Sequence, residues 1–222
     1  LDLNGLGLKF IPNFECEKYS KYGDFTKNVL NLFLSDNKLK KLENLSQFIN
    51  LEVVDCSSNL LDGKLDIKNP KLIEIQCRNN NLKYIEFNNL KRVDCSHNQI
   101  KSLGNSNYIQ NLIADCNKLE MIGNYGNLTN LSCKNNNLEK LGKMPNIKNV
   151  DCAFNRIKCI KNYTKLKNLW CNDNMIEKLE NLYSLINIEC TNNLDIKMYG
   201  KKSLKNILGD KNVKLVEDSQ ID

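Results

Sequence analysis

A chain of 222 residues with 41% hydrophobic side chains can bury a sizeable core, and it contains no run of 18 apolar residues that could span a membrane as a helix. Thirty-two Lys and Arg against 26 Asp and Glu leave a net charge of +6, which alone would suggest a polyanionic partner. A single His excludes metal sites built on several histidines, so neither metal nor cofactor is expected.

Taken in chain order, one apolar pattern keeps returning around an asparagine. A first copy is centred on Leu6, which stands where the Asn belongs, and Leu1 already occupies a core position, as in a segment of a longer protein. An insertion follows near 14–27, with CEKYSKYGDF at its heart, and reads either as a contact loop or as a surface excursion. Anchors then fall at Asn37, Asn59, Asn80, Asn98, Asn117, Asn136, Asn155, Asn174 and Asn193, in steps of 22, 21, 18 and then 19 five times over. The longer copies between Asn37 and Asn80 have room for a helical turn around 45–48. After Asn193 the pattern decays. SLKNIL at 203–208 reads as a short helix, NVKLV at 212–216 as a last strand, and EDSQID as a fraying end. The expected organisation is a repeat array over 1–198 and a C-terminal cap with tail over 199–222.

The columns of this array explain its chemistry. Five residues before each anchor stand Leu, Ile or Val, and three before stand Cys56, Cys77, Cys95, Cys133, Cys152, Cys171 and Cys190, with Ala114 taking that place once and Leu3 and Leu34 taking it in the first two copies. Positions two apart share one face of a strand, so both columns point into a core, while positions six, four and two before the anchor point out. A fixed period of this length means a solenoid whose units bury their apolar sides only against one another. Stacked strands lie roughly 4.8 Å apart. A straight file of sulfurs at that spacing can neither close around zinc nor form disulfides without straining the sheet. Buried thiols are therefore expected, in a reducing compartment: cytoplasm or nucleus, or the host-cell cytoplasm for a viral or effector protein. Cys16, Cys116 and Cys159 lie outside the column and are the ones that could be redox-sensitive.

The quotable copies are LSCKNNNLEKL at 131–141, VDCAFNRIKCI at 150–160 and LWCNDNMIEKL at 169–179. They resemble the leucine-rich repeat family, with short repeats of 19–22 residues, and the Asn, Lys and Ile bias is what an AT-rich genome produces. The resemblance implies an α/β horseshoe-type solenoid. Its concave side would be a parallel sheet of about ten short strands, and its convex side mostly loops and short turns with little helix.

Function in such a fold is expected on the concave sheet. Its outward columns carry Asp2, Asp36, Asp55, Glu74, Asp94, Asp115, Asp151, Asp173 and Glu189 against Arg78, Arg92 and Lys134. The sheet is thus acidic although the chain is basic, which argues against nucleic acid there and for a protein with a basic patch. The only Trp, Trp170, sits in the middle outward column between Asp151 and Glu189, with Phe154 at the rim, as an interface anchor would. The expected partner-binding residues are Asp151, Phe154, Trp170, Asp173 and Glu189, then Asp94, Asp115 and Phe33. The alternative is the substrate-recognition segment of a larger enzyme or complex, such as a ubiquitin ligase, a bacterial effector or a phosphatase regulator. No catalytic residues are assigned, because His97 beside Asp94 and Cys116 lacks an enclosed pocket on an open sheet. A monomeric, non-enzymatic scaffold is the expectation.

Overall fold

The computed structural model describes residues 1–22, 24–199, 204–208 and 213–216. It divides into two compact units, Leu1–Ile100 and Lys101–Asp222. In the first, the strands Asn31–Phe33, Val53–Asp55, Glu74–Gln76 and Arg92–Asp94 pair in parallel. In the second, Asn111–Ile113, Asn130–Ser132, Asn149–Asp151, Asn168–Trp170, Asn187–Glu189 and Asn206–Leu208 do the same. All ten occupy the sixth to fourth positions before an Asn, as the alternation of the sequence requires. The nine strands from Asn31–Phe33 to Asn187–Glu189 are each three residues long, and a left-handed residue stands three positions after each one's end.

The inward columns are sealed. The residues five before the anchor, from Leu32 to Ile188, and the seven cysteines three before it are all buried. The anchors bridge neighbouring copies. Asn155 Nδ2 donates to the carbonyls of Cys133, Cys152 and Ala153 at 3.0, 3.1 and 3.2 Å, and its Oδ1 accepts the Leu138 amide at 3.0 Å. One side chain thereby bonds four backbone groups across the two copies it joins. Asn136 and Asn174 repeat the arrangement.

A second file of amides runs over the surface of the second unit, six residues before each anchor. Asn130 donates to Asn111, Asn149 to Asn130, Asn168 to Asn149, Asn187 to Asn168 and Asn206 to Asn187, at 2.5–2.6 Å. This ladder corrects the expectation of a short helix over 203–208. Leu204, Ile207 and Leu208 do have helical spacing, but Asn206 stands 19 residues after Asn187 and pairs with it. Register with the existing sheet outweighs a weak local preference. The last strand, Val213–Leu215, pairs with Ile196–Met198. The tail EDSQID lies outside the described residues.

Away from the main sheet the chain is extended, as expected, and part of it also pairs. In the second unit Cys159–Lys161, Lys178–Glu180, Ile196–Met198 and Val213–Leu215 form a second parallel sheet. In the first unit Asp62–Leu65 pairs with Asn81–Ile85. The helical turn anticipated around 45–48 is the 3₁₀ segment Leu45–Gln47. The insertion folds into 3₁₀ segments Glu17–Tyr22 and Phe25–Asn28, gathered on the Phe14 ring, which lies 5.2 Å from Tyr19 and 5.3 Å from Phe25. Backbones approach closely where glycine recurs at the 19-residue period. A Cβ at Gly142 would meet the Gly123 oxygen at 2.1 Å, and one at Gly123 the Gly104 oxygen at 2.4 Å.

All ten cysteines are free thiols, with Cys16 exposed and Cys116 and Cys159 half-buried. Burial pushes the thiols of Cys56, Cys77, Cys133, Cys152 and Cys171 well above their ordinary value. A disulfide reagent at neutral pH is expected to count three thiols in the native protein, those outside the buried column, and all ten after denaturation. A native count near ten would mean that the column is open. The sign of the pH effect follows. The folded chain keeps these thiols protonated while the unfolded chain ionises them near 9.0, so stability held below that pH is lost as pH rises through it.

Candidate functional site

The strand alternation aims the fourth position before each anchor away from the core. In the second unit this puts Ile113, Ser132, Asp151, Trp170 and Glu189 side by side, because Trp170 pairs in register with Asp151 on one side and Glu189 on the other. Trp170 is 40% exposed and Ile113 42%. Phe154, at the rim, is 49% exposed. The spacing of stacked strands puts the Ile113 and Trp170 backbones roughly 14 Å apart.

The rim has a conformation that the sequence did not announce. The residue immediately before the anchor is left-handed throughout, with φ +53° at His97 and Cys116, +54° at Asp173 and +56° at Phe154. Asn and Asp tolerate this region; a bulky Phe adopts it only at a cost on the order of 1 kcal/mol. The same turn tucks the preceding position inward. Ser57, Ser96 and Ala153, expected to point out, are buried.

The carboxylates are more tied down than a solvated acidic face would be. Asp55 and Asp94 each accept the amide two residues on, of Ser57 and Ser96, at 3.0 Å, and Asp151 accepts that of Ala153 at 3.3 Å. These acids brace the left-handed turn. Lys134 reaches between Asp151, at 3.4 Å, and Asp115, at 3.9 Å. Asp151 first and Asp115 second hold the Lys134 ammonium above its ordinary value. Burial raises the Asp115 carboxyl, opposed by the Ser132 hydroxyl at 2.7 Å and the Lys134 amide at 3.0 Å. Asp173 accepts from Asn192 at 2.9 Å and from Asn172 at 3.2 Å. The outward columns of the second unit therefore present four carboxylates against one lysine, with Trp170 and Phe154 in their midst.

Of the residues singled out from sequence, Asp115, Asp151, Phe154, Trp170, Asp173 and Glu189 belong to this surface. Asp94 and the partly exposed Phe33 belong to the first unit, on the column Phe33, Asp55, Gln76, Asp94. Sequence reasoning passed over Ile113, whose position in the Trp170 column was the available signal, and the Lys134 bridge. The His97 side chain makes no hydrogen bond or ion pair among the described residues, so no nucleophile–base pair forms around it. Among those residues, no three His, Cys, Asp or Glu side chains gather into a metal-binding cluster.

No family model matches the chain, and no curated protein matches it. Solved structures do match. The leucine-rich repeat domain of APL1B superposes with TM-score 0.69 at 18% identity, over 94% of this chain and 63% of that one. A chain of the LRIM1/APL1C complex gives 0.70 at 17% identity, over 98% of this chain and 49% of that one. InlJ from Listeria monocytogenes, described as including a cysteine ladder, gives 0.58 at 18% identity, over 97% and 54%. The chain thus spans between about half and two thirds of the length of these proteins. At such identities the likeness establishes the fold, a leucine-rich-repeat solenoid.

Proposed function

We propose that this leucine-rich-repeat chain is a protein-recognition scaffold, and that the outer face of its second unit, centred on Trp170, meets a partner bearing a basic patch. The observation that carries the reading is Trp170 itself. It is a large ring left 40% exposed in the middle of a sheet, flanked in register by Asp151 and Glu189. Exposed aromatics ringed by polar groups anchor interfaces, and complementary charge steers the encounter. Phe154 supports the same reading, since it holds a half-exposed ring at the rim in a left-handed conformation that a Phe adopts only at a cost. A fold neighbour is found in a complex, LRIM1/APL1C, which favours partner binding as a use of this architecture. Ten cysteines, none of them in a disulfide, fit a compartment that keeps thiols reduced.

A photo-reactive phenylalanine analogue at Ile113, on this face, compared with one at the exposed Met121 off it, tests the proposal in the native host. A partner crosslinked from position 113 and not from 121, with a yield that falls as salt rises, is the expected result. Identical adducts from both positions would remove the face from consideration.

A further inference from the structure

The first unit carries a small polar cavity that the proposed interface does not use. Its volume is 290 Å³, and Ser57, Arg78, Asp55, Asp36, Ser96 and His97 are among the residues that line it. We propose that it binds a small zwitterion, a free polar α-amino acid, whose carboxylate meets Arg78 and whose ammonium meets Asp55 and Asp36.

Three observations carry this. The first is Ser57, only 3% exposed, whose buried Oγ has no hydrogen-bond partner. Its column mates are engaged, for Ser35 Oγ donates to Asn4 at 2.9 Å and Ser96 Oγ to Asp94 at 2.6 Å. A buried hydroxyl without a partner costs free energy, and a polar ligand at this spot would satisfy it. The second is Arg78. Among the described residues it makes no ion pair, so every carboxylate oxygen lies more than 4.0 Å from its guanidinium although Asp55 and Asp36 border the same cavity. Opposite charges held apart across one cavity suit a ligand that carries both and bridges the gap. The planar fork of Arg fits a carboxylate through two parallel hydrogen bonds. The third is the orientation of Asp55. The Ser57 amide fixes its Oδ1 at 3.0 Å, which leaves Oδ2 to accept from an ammonium. The volume is at the small end of the roughly 300–1,000 Å³ range of ligand pockets, and polar groups dominate the lining, so an amino acid with a short polar side chain fits better than an aromatic one.

Saturation-transfer NMR and calorimetry on the whole chain, with L-serine as probe, test the proposal. L-Serine is expected to bind saturably at millimolar concentration or tighter. N-acetyl-serine and serine methyl ester, each lacking one charge, should bind at least tenfold more weakly. Arg78→Met and Asp55→Asn should each lose at least tenfold. Ser57→Ala should lose affinity while the thermal midpoint of the ligand-free chain rises, since a buried hydroxyl without a partner in the fold is removed. No saturable binding of serine, equal binding of either singly charged analogue, or insensitivity to Arg78→Met would each overturn it. These variants lie in the first unit, so crosslinking from Ile113 in the second reports on the protein interface independently.

Discussion

Trp170→Ala is expected to weaken binding of the partner captured at the second unit's outer face by about thirtyfold or more, ~2 kcal/mol, while the thermal midpoint barely moves. The two halves of this result come from the strand itself. Leu169 and Cys171, on either side, face the core and are buried, whereas Trp170 faces out. Removing its ring, on the outer face, leaves the inward columns of Leu169 and Cys171 in place. If the indole instead served as a lid over its neighbours, the loss would appear as lowered stability with unchanged affinity, so calorimetric titration and a melting curve separate the two roles. Phe154→Asn is the companion variant. It removes an exposed ring and installs a residue at home at φ +56°. Affinity should fall while stability rises by about 0.5–1 kcal/mol, the exchange expected where strain is kept for binding.

Asn155→Ala should be among the most damaging truncations of a polar group in the second unit, alongside the equivalent change at Asn136, costing about 3 kcal/mol. The Leu138 amide would be orphaned in the closed interior between copies, and the Cys133, Cys152 and Ala153 carbonyls would each lose one of two donors, keeping Asn136, Asn174 and the Asn135 amide respectively. For a chain of this size that corresponds to a fall in midpoint of roughly 10 °C. Asn155→Asp makes a sharper test. An ionised carboxylate would keep the Leu138 contact yet aim negative charge at three carbonyl oxygens. Its folded pKa would therefore be raised above the ordinary ~3.9. Stability should then be best below that value and be lost as pH climbs through the raised one. Melting at pH 4 and pH 8 reads this directly, and a pH-independent deficit would contradict the hydrogen-bond assignment.

The period and the direction of side chains were legible in the sequence because both depend on backbone geometry alone. Alternation placed Leu169 and Cys171 inside and Trp170 outside, and compact apolar demand explained the cysteine file. The features that escaped are of two kinds. Some are contests between a local and a distant preference, as where Leu204, Ile207 and Leu208 suggested a helix and Asn187 drew Asn206 into the sheet. Others depend on reach between side chains of different copies, which columns do not encode. Lys134 spanning Asp115 and Asp151 is one case, and Arg78 standing clear of Asp55 is another. The left-handed rim fell between these. Asn135, Asp173 and Asn192 are natural occupants, but Phe154 and Cys116 in the same column concealed the common conformation.

The ladder from Asn111 to Asn206 has a consequence for how such a molecule can change its length. Each rung donates to the one before it, so the file stays continuous only when an addition or loss brings the next amide back to the same height. Duplication or excision of one complete copy preserves every link. An indel of one residue inside a strand severs the file and turns Leu or Cys toward water. Growth and shrinkage of this solenoid should therefore be quantised, with irregular insertions tolerated only outside the strands, as in the segment gathered on Phe14.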